Sequence, residues 1–246
     1  MNLILGNAFE VLPTIEPKSI DMILTDPPYK ISNSGGGMME RGNRDFIKQI
    51  DSMGMCNGDF NVPTFLSLLI PLFNNKQYFN GVFFCSRLQI LDYLTFATKN
   101  KFQYGITMWH KSDPTPLCNN KYLNDIEFAV YIKGNKARIG GSYATKSLVY
   151  SSSTNRKDKR EYGHPTIKPV KLIEKYLVNH TKDNMVVCDP FMGSGTTGVA
   201  CKKLNRDFIG VELDEKYFNI AKARINNTIV KIEAKTEEST VDGLFF

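Results

Sequence analysis

The sequence predicts an α/β protein built on a doubly wound, mostly parallel sheet of about seven strands with helices on both faces. Short apolar runs alternate with amphipathic segments, as expected when crossover helices join parallel strands. The run at residues 20–24 is apolar enough for a strand that is covered on both faces, and two prolines follow it closely. A later apolar run leads into a glycine-rich stretch at residues 193–198.

The elements follow one another in the order strand, short helix and strand up to residue 30, and continue in alternation after a long gap. Strands are predicted at 2–5, 19–25, 81–86, 104–111, 126–134, 185–188 and 208–213, and helices at 8–15, 62–75, 87–100 and 199–204. A further helix carries Leu172, Ile173, Tyr176 and Leu177 on one face. The glycine-rich stretch 35–58 predicts a mobile loop, and residues 134–163 predict irregular structure.

Length and composition indicate a globular protein of the cytoplasm. At 246 residues and 42% hydrophobic content the chain is long enough to bury a full core. The first ten residues lack a basic leader, and the longest apolar stretch, 65–73, is too short to span a bilayer. The five cysteines are odd in number and contain no CxxC pair. We therefore expect no disulfide framework, no zinc site and no other metal.

Positive charge is concentrated in one segment of the chain. Residues 133–171 contain ten lysines and arginines against two acids, an excess of eight where the whole chain carries only +6. Interleaved tyrosines and serines suit phosphate contacts and base stacking, whereas the alternative is a solvated surface loop. The residues predicted to contact nucleic acid are Lys136, Arg138, Arg156, Lys157, Lys159 and Arg160, with Arg41 and Arg44 from the earlier loop.

The stretch "TDPPYK" at residues 25–30 follows the buried strand directly. Pro27 and Pro28 fix φ and remove two N–H donors, so sheet pairing must stop and the chain must leave extended. Asp26 and Tyr29 are thereby presented at a carboxyl end of the sheet. In open α/β sheets this edge is where ligands bind.

The glycine stretch "GSGTTG" is a literal GxGxxG at Gly193, Gly195 and Gly198. It lies between a predicted strand and helix, and Glu212 follows Gly193 by 19 residues at the end of the next strand. This is the Rossmann-like fingerprint, in which glycines allow close approach to a ligand and the acid accepts hydrogen bonds from ribose hydroxyls. The pattern alone leaves a nicotinamide cofactor and S-adenosylmethionine equally open, because both carry an adenosine.

Four stretches together resemble the beta group of the amino-group DNA methyltransferases, which make N6-methyladenine or N4-methylcytosine. They are "GNAFEVL", "SIDMILTDPPY", "GHPTIKPVKLIEKYL" and "VCDPFMGSGTTGVACKKLNRDFIGVELDEKYFNIAKARI". The resemblance covers residues 3–30 and about 78–227, with the proline motif early and the cofactor loop late, as in that group. It implies S-adenosylmethionine as the cofactor, double-stranded DNA as the substrate and a role in restriction-modification.

The resemblance also assigns individual residues. It implies that the cofactor is bound by Asn7, Ala8, Asp26, Thr166, Lys168, Asp189, Phe191, Gly193, Ser194, Gly195, Thr196, Thr197, Glu212 and Leu213. Asn7 departs from the family, which usually has Asp there. Thr166 and Lys168 are assigned to the methionine end of the cofactor, although "HPTIKP" also fits a plain helix start.

The implied catalytic residues are Asp26, Pro27, Pro28 and Tyr29. An exocyclic amine of a base is a poor nucleophile because its lone pair is delocalised into the ring. In the favoured mechanism the base leaves the stack and Tyr29 stacks on it, while Asp26 and the Pro27 carbonyl accept the two amino hydrogens. The lone pair then points at the methyl group, and the loop after "DPPYK" closes over the base.

Several alternatives stay open at this point. Asp before the two prolines favours adenine N6 over cytosine N4, and an RNA or protein-glutamine substrate or a non-catalytic regulator are further possibilities. A cognate restriction nuclease and a second copy of the chain are the other partners considered. The predicted organisation is one methyltransferase domain over 1–246, with a catalytic half (1–132), a basic target-recognition insert (about 133–163), a cofactor-binding half (164–227) and a tail (228–246).

Overall fold

The computed structural model describes residues 1–28, 60–116, 122–162 and 167–229, in which eight strands pair into one sheet. The strands are β1 (Asn2–Leu5), β2 (Met22–Thr25), β3 (Asn80–Cys85), β4 (Gln103–Lys111), β5 (Ile126–Lys133), β6 (Val149–Ser152), β7 (Val186–Asp189) and β8 (Asp207–Glu212). Their spatial order is β1-β8-β7-β2-β3-β5-β4-β6. β5 runs antiparallel to both of its neighbours, and the other pairs are parallel.

Helices cover both faces of the sheet. They are α1 (Ala8–Val11), α2 (Val62–Leu69), α3 (Ile90–Lys99), α4 (Arg156–Tyr162), α5 (Val170–His180), α6 (Thr196–Lys203) and α7 (Glu215–Asn226), with 3-10 turns at Leu12–Thr14, Ile70–Leu72 and Lys76–Tyr78. Within the described ranges, no helix is long and apolar enough to cross a membrane.

Two hydrophobic clusters lie on opposite faces of the sheet. One contains buried apolar residues of α2 and α3, and the other contains buried apolar residues of α5, α6 and α7. Every residue of β2 is buried, and its side chains alternate: Ile23 packs in the first cluster, whereas Met22 and Leu24 pack in the second. The doubly wound fold expected from the sequence is therefore confirmed, with eight strands where about seven were expected.

The strand that leads into the two prolines is central. β2 lies between β7 and β3 and pairs with both in parallel. It ends at Thr25, so the prediction that Pro27 and Pro28 stop sheet pairing is confirmed. The four apolar positions of the helix now defined as α5, Leu172, Ile173, Tyr176 and Leu177, are all buried as predicted.

The prediction of irregular structure across 134–163 is wrong, because this range holds both β6 and α4. β6 is an edge strand that pairs only with β4 within the described residues, and two of its four residues are exposed. α4 buries none of its residues. Neither element shows apolar periodicity, because neither depends on an apolar face.

Candidate active site

A cavity of about 250 Å³ opens at the carboxyl ends of β1, β2, β7 and β8. Among the residues predicted to bind the cofactor or to act in catalysis, it is lined by Asn7, Ala8, Asp26, Pro28, Lys168, Asp189, Phe191, Gly193, Ser194, Thr196, Thr197, Glu212 and Leu213. The segment after β2 and the glycine loop after β7 thus share one cavity. Their strands are neighbours in the sheet, although the segments lie far apart in the sequence.

Asp189 braces these two parts of the cavity against each other. The hydroxyl of Thr25 donates to Oδ1 at 2.7 Å, and the hydroxyl of Thr197 donates to Oδ2 at 2.7 Å. The backbone N–H of Phe191 also donates to Oδ1, at 3.1 Å. Burial raises the pKa of Asp189 to about 6, because these hydrogen bonds only partly offset the loss of water around the charge.

Asp189→Asn is expected to remove a pH dependence from the stability of the protein. Because the folded-state pKa lies above its ordinary value, the carboxyl group stabilises the fold most when protonated, and this contribution is lost as pH rises through about 6. An amide cannot ionise, and its nitrogen can donate to Thr197. Between pH 4 and 7 the variant should gain on the order of 2 kcal/mol over the wild type in urea unfolding.

The control for this measurement is Asp183→Asn. Asp183 is an exposed carboxylate that pairs with Arg206 at 2.6 Å. We expect this variant to keep the wild-type slope of unfolding free energy against pH between 4 and 7. An Asp189→Asn protein whose slope matches that of the wild type would show that Asp189 is not the buried titrating group.

The glycine loop is held by the acid at the end of β8. Gly193 has a φ of 51° and Gly195 a φ of 81°, both left-handed. The N–H of Gly193 donates to Oε2 of Glu212 at 2.8 Å, and the N–H of Asp214 donates to Oε1 at 2.9 Å. Burial raises the pKa of Glu212. Each oxygen of the Glu212 carboxylate has a second lone pair, which can accept a hydrogen bond from a ribose hydroxyl.

Two predicted residues take part in the loops without lining the cavity. Gly195 is the N-terminal cap of α6, and Pro27 is buried. At the other side of the cavity, Asn7 caps α1, because its Oδ1 accepts from the N–H of Phe9 at 3.0 Å. The predicted contact of Asn7 with the cofactor stays a prediction.

Asp26 is paired with Lys168 in the lining of the cavity. The ammonium group of Lys168 contacts Oδ2 of Asp26 and lies 3.3 Å from Oε2 of Glu127. It also lies 4.9 Å from the centroid of the Phe84 ring. Burial alone would lower the pKa of Lys168, but the two carboxylates raise it above its ordinary value. Lys168, assigned from the sequence to the methionine end of the cofactor, therefore also contacts the predicted catalytic acid.

The backbone after Asp26 is anchored by a buried side chain. Gln89 is fully buried, and its Nε2 donates to the carbonyl of Pro28 at 3.0 Å. Its Oε1 accepts from the N–H of Ser86 at 3.1 Å. The segment that carries Asp26 is thus held by the N-cap residue of α3 as well as by the stiffness of its own prolines.

The predicted nucleic-acid contacts divide into two places. Arg156, Lys157, Lys159 and Arg160 lie on α4. Lys136 and Arg138 lie in the segment after β5, where the N–H of Lys136 donates to the carbonyl of Gln77, just before β3 begins. That position is at the amino end of β3, so the structure does not bring Lys136 and Arg138 together with the cavity.

The helix α4 lies beside the glycine loop. The Tyr162 ring centroid is 4.2 Å from the Arg224 guanidinium carbon, and Arg224 donates to the carbonyl of Ser194 at 2.6 Å. Arg156 pairs with Asp113 at 3.3 Å. Burial lowers the pKa of Lys159, which faces the charges around Glu127. Four of the predicted site residues lie outside the described ranges, namely Tyr29, Arg41, Arg44 and Thr166.

Sequence reasoning missed three residues that support the site, and two of them carry a signal. Glu127 is the lone acid of β5, a strand that is otherwise apolar up to Lys133. Arg224 lies seven residues after Tyr217, on the face of α7 that also buries Ala221 and Ile225. A charge on a core-facing position predicts a buried polar partner. Gln89 follows β3 in an ordinary polar turn, and no pattern distinguishes it.

The chain is similar to DNA methyltransferases in sequence and in structure. A family model described as DNA methylase, of the N6/N4 methyltransferase type, matches residues 20–223. The Type II methyltransferase M2.LlaDCHI of Lactococcus lactis subsp. cremoris is 29% identical over 91% of this chain and 88% of its own. M2.DpnII of Streptococcus pneumoniae is 29% identical over 92% and 89%. The crystal structure of the M1.HpyAVI–SAM complex superimposes with a TM-score of 0.70 at 31% identity, over 92% of this chain and 98% of that one.

Proposed function

This chain belongs to the N6/N4 DNA methylase family and is an S-adenosylmethionine-dependent DNA methyltransferase, and we propose that it methylates the N6 amine of adenine. One observation carries the proposal. Asp26, which follows the buried strand β2, lines the same cavity as the glycine loop and Glu212. A carboxylate that can accept a hydrogen bond from an amine and a loop that can bind an adenosine therefore line one cavity.

The residues of the cavity fit S-adenosylmethionine. The glycine loop allows close approach of the backbone, and Glu212 offers carboxylate oxygens to a ribose. Phe191, Leu213 and Phe60 supply apolar surface. When bound, the cofactor supplies a methyl group on a positively charged sulfur. We propose Glu212 as the ribose contact and the loop from Gly193 to Thr197 as the cradle.

On the acceptor side, the chain's task is to orient an amine. We propose that the Asp26 carboxylate accepts one amino hydrogen and the carbonyl of Pro27 the other, while Tyr29 stacks on the base. Gln89 and the two prolines keep these acceptors still before the base arrives. No covalent bond to the protein is needed. Adenine is favoured over cytosine because Asp stands before the two prolines.

The DNA contacts are proposed on the side of α4. Tyr162 of α4 packs on Arg224 beside the glycine loop, and Lys159 of α4 faces the charges of Glu127 and Lys168, so DNA held by the basic residues of α4 would lie near the site. We propose residues 133–163 as the target-recognition segment of one domain. Relatives named Type II methyltransferases support a restriction-modification role with a cognate nuclease. A homodimer and a cytoplasmic location are part of the same proposal.

Incubation with labelled S-adenosylmethionine and unmethylated duplex DNA is expected to yield N6-methyladenine. The DNA is digested to nucleosides and the labelled product is identified by its mass. Transfer should weaken steeply as salt rises, because phosphate contacts release counterions. Single-stranded RNA and a heat-unfolded enzyme sample serve as the controls. N4-methylcytosine as the product would overturn the choice of base, and label in RNA alone would overturn the choice of DNA.

A further inference from the structure

Four side chains of alternating charge contact one another in sequence at the carboxyl-end edge of the sheet. They are Lys111, Glu127, Lys168 and Asp26. Lys111, the last residue of β4, lies with its Nζ 2.7 Å from Oε1 of Glu127. The other oxygen of Glu127 is 3.3 Å from Nζ of Lys168, and Lys168 is ion-paired with Asp26. The Lys168 side chain is only 6% exposed, and Oε2 of Glu127 is inaccessible to water. Glu127 is therefore one step removed from the group that we propose meets the substrate.

The antiparallel strand β5 brings these charges together. Because β5 runs opposite to β3 and β4, its beginning lies beside their carboxyl ends. Glu127 pairs with Trp109 in the ladder, two residues before Lys111. An acid near the start of β5 and a lysine at the end of β4 therefore reach the sheet edge that carries Asp26.

Electrostatic interactions keep Glu127 and Lys168 ionised. Although burial raises it, the pKa of Glu127 is lowered to about 2 by Lys168 and Lys111. The ammonium of Lys168 is opposed by burial but held by Asp26 and Glu127. Among the described residues, Asp26 and Glu127 face Lys168, as does Lys159 of α4, whose pKa is itself lowered by burial, while Lys111 faces Glu127. Two carboxylates thus balance an ammonium that has little water around it.

We propose that Glu127 is a positioning residue for methyl transfer, because it holds the ammonium of Lys168 in place and Lys168 in turn orients the carboxylate of Asp26. The inference rests on the proposed function, in which Asp26 accepts a hydrogen of the target amine. A carboxylate on a flexible side chain sweeps a range of orientations, and only some of these align the lone pair for attack. An anchored ammonium restricts that range before the base enters.

Glu127→Gln keeps the shape of the side chain and removes its charge. We expect kcat to fall by about 10- to 100-fold, because small misplacements of reacting groups cause losses of this size. The KM for S-adenosylmethionine should change little, because Glu127 does not line the cavity. With one carboxylate partner lost, the pKa of Lys168 should fall. The kcat of the variant should therefore decline with rising pH at a lower midpoint than in the wild type.

The charge of Lys168 can be followed without turnover. Protein labelled with ¹³C at the ε-carbon of lysine gives a resonance whose shift follows ionisation, and Lys168→Arg identifies it by its disappearance. We expect the midpoint of this resonance to fall in Glu127→Gln and to match the alkaline midpoint of kcat. Glu127→Asp keeps the charge and should recover part of both. Glu174→Gln is the control, since Glu174 is a mostly buried acid of α5 that pairs with Lys171 at 2.8 Å and does not line the cavity.

The outcomes separate the inference from the proposed function. An unchanged kcat in Glu127→Gln, an unmoved Lys168 midpoint, or an equal loss in Glu174→Gln would each overturn the positioning role. A raised KM for the cofactor with an unchanged kcat would overturn it too, because Lys168 would then serve only the methionine end of the cofactor. If the wild-type enzyme methylates no DNA base but the Lys168 midpoint shifts in Glu127→Gln, the proposed function would be overturned. Only the coupling among the four ion-paired residues would then stand.

Discussion

Asp26→Ala is expected to lower kcat by about 100- to 1,000-fold, as the loss of one preorganised polar group at a reacting centre does. The variant removes the carboxylate that we propose accepts the amine hydrogen, and Lys168 keeps Glu127 as a partner. The affinity for S-adenosylmethionine should change by less than about tenfold, because Glu212 and the glycine loop remain. Single-turnover methylation and calorimetric titration of the cofactor measure the two quantities separately.

Asp183→Ala is the matched control for this experiment. It also deletes one carboxylate, but Asp183 lies before β7, at the opposite edge of the sheet, where it pairs with Arg206. Its kcat should equal that of the wild type. If cofactor affinity falls in step with activity in Asp26→Ala, the acid serves the cofactor and not the amine.

Gly195→Ala is expected to destabilise the fold by about 2 to 5 kcal/mol. Gly195 caps α6 with a φ of 81°, a conformation that costs other residues about 1 to 2 kcal/mol. An added Cβ would lie 2.8 Å from the Cβ of Ala221 on α7, which adds about 1 to 3 kcal/mol of overpacking. Urea unfolding at 25 °C measures the loss. Cofactor affinity should fall as well, because Gly195 stands in the middle of the loop.

Gly140→Ala is the control for the loss of a glycine as such. The nearest atom to its added Cβ is the carbonyl oxygen of Asn179 at 3.7 Å, an ordinary contact, and Gly140 is not left-handed. The change should stay within about 0.5 kcal/mol. Equal unfolding midpoints for the two variants would mean that the loop relaxes around the new methyl group at Gly195.

Local sequence patterns were sufficient to predict the strands and helices that bury an apolar face. β2 was predicted from its continuous apolar run, and α5 from its one-sided apolar positions, and both are buried as expected. The glycine spacing and the acid 19 residues later predicted a ligand-binding loop with Glu212 as the ribose acceptor. The structure brings Glu212 to the loop, where the N–H of Gly193 donates to it, and the ribose contact stays a prediction. β6 and α4 were missed because their stability comes from neighbours and not from their own pattern.

The sequence by itself determined which residue types stand at the strand ends: Asp26 after β2, Asp189 at the end of β7 and Glu212 at the end of β8. Only the tertiary structure decided their partners. Lys168 meets Asp26 across 142 residues, and Thr25 meets Asp189 across 164. The physical reason is that a strand end is set by local backbone chemistry, whereas the partner of a buried charge depends on strand order, direction and register, which no short pattern encodes.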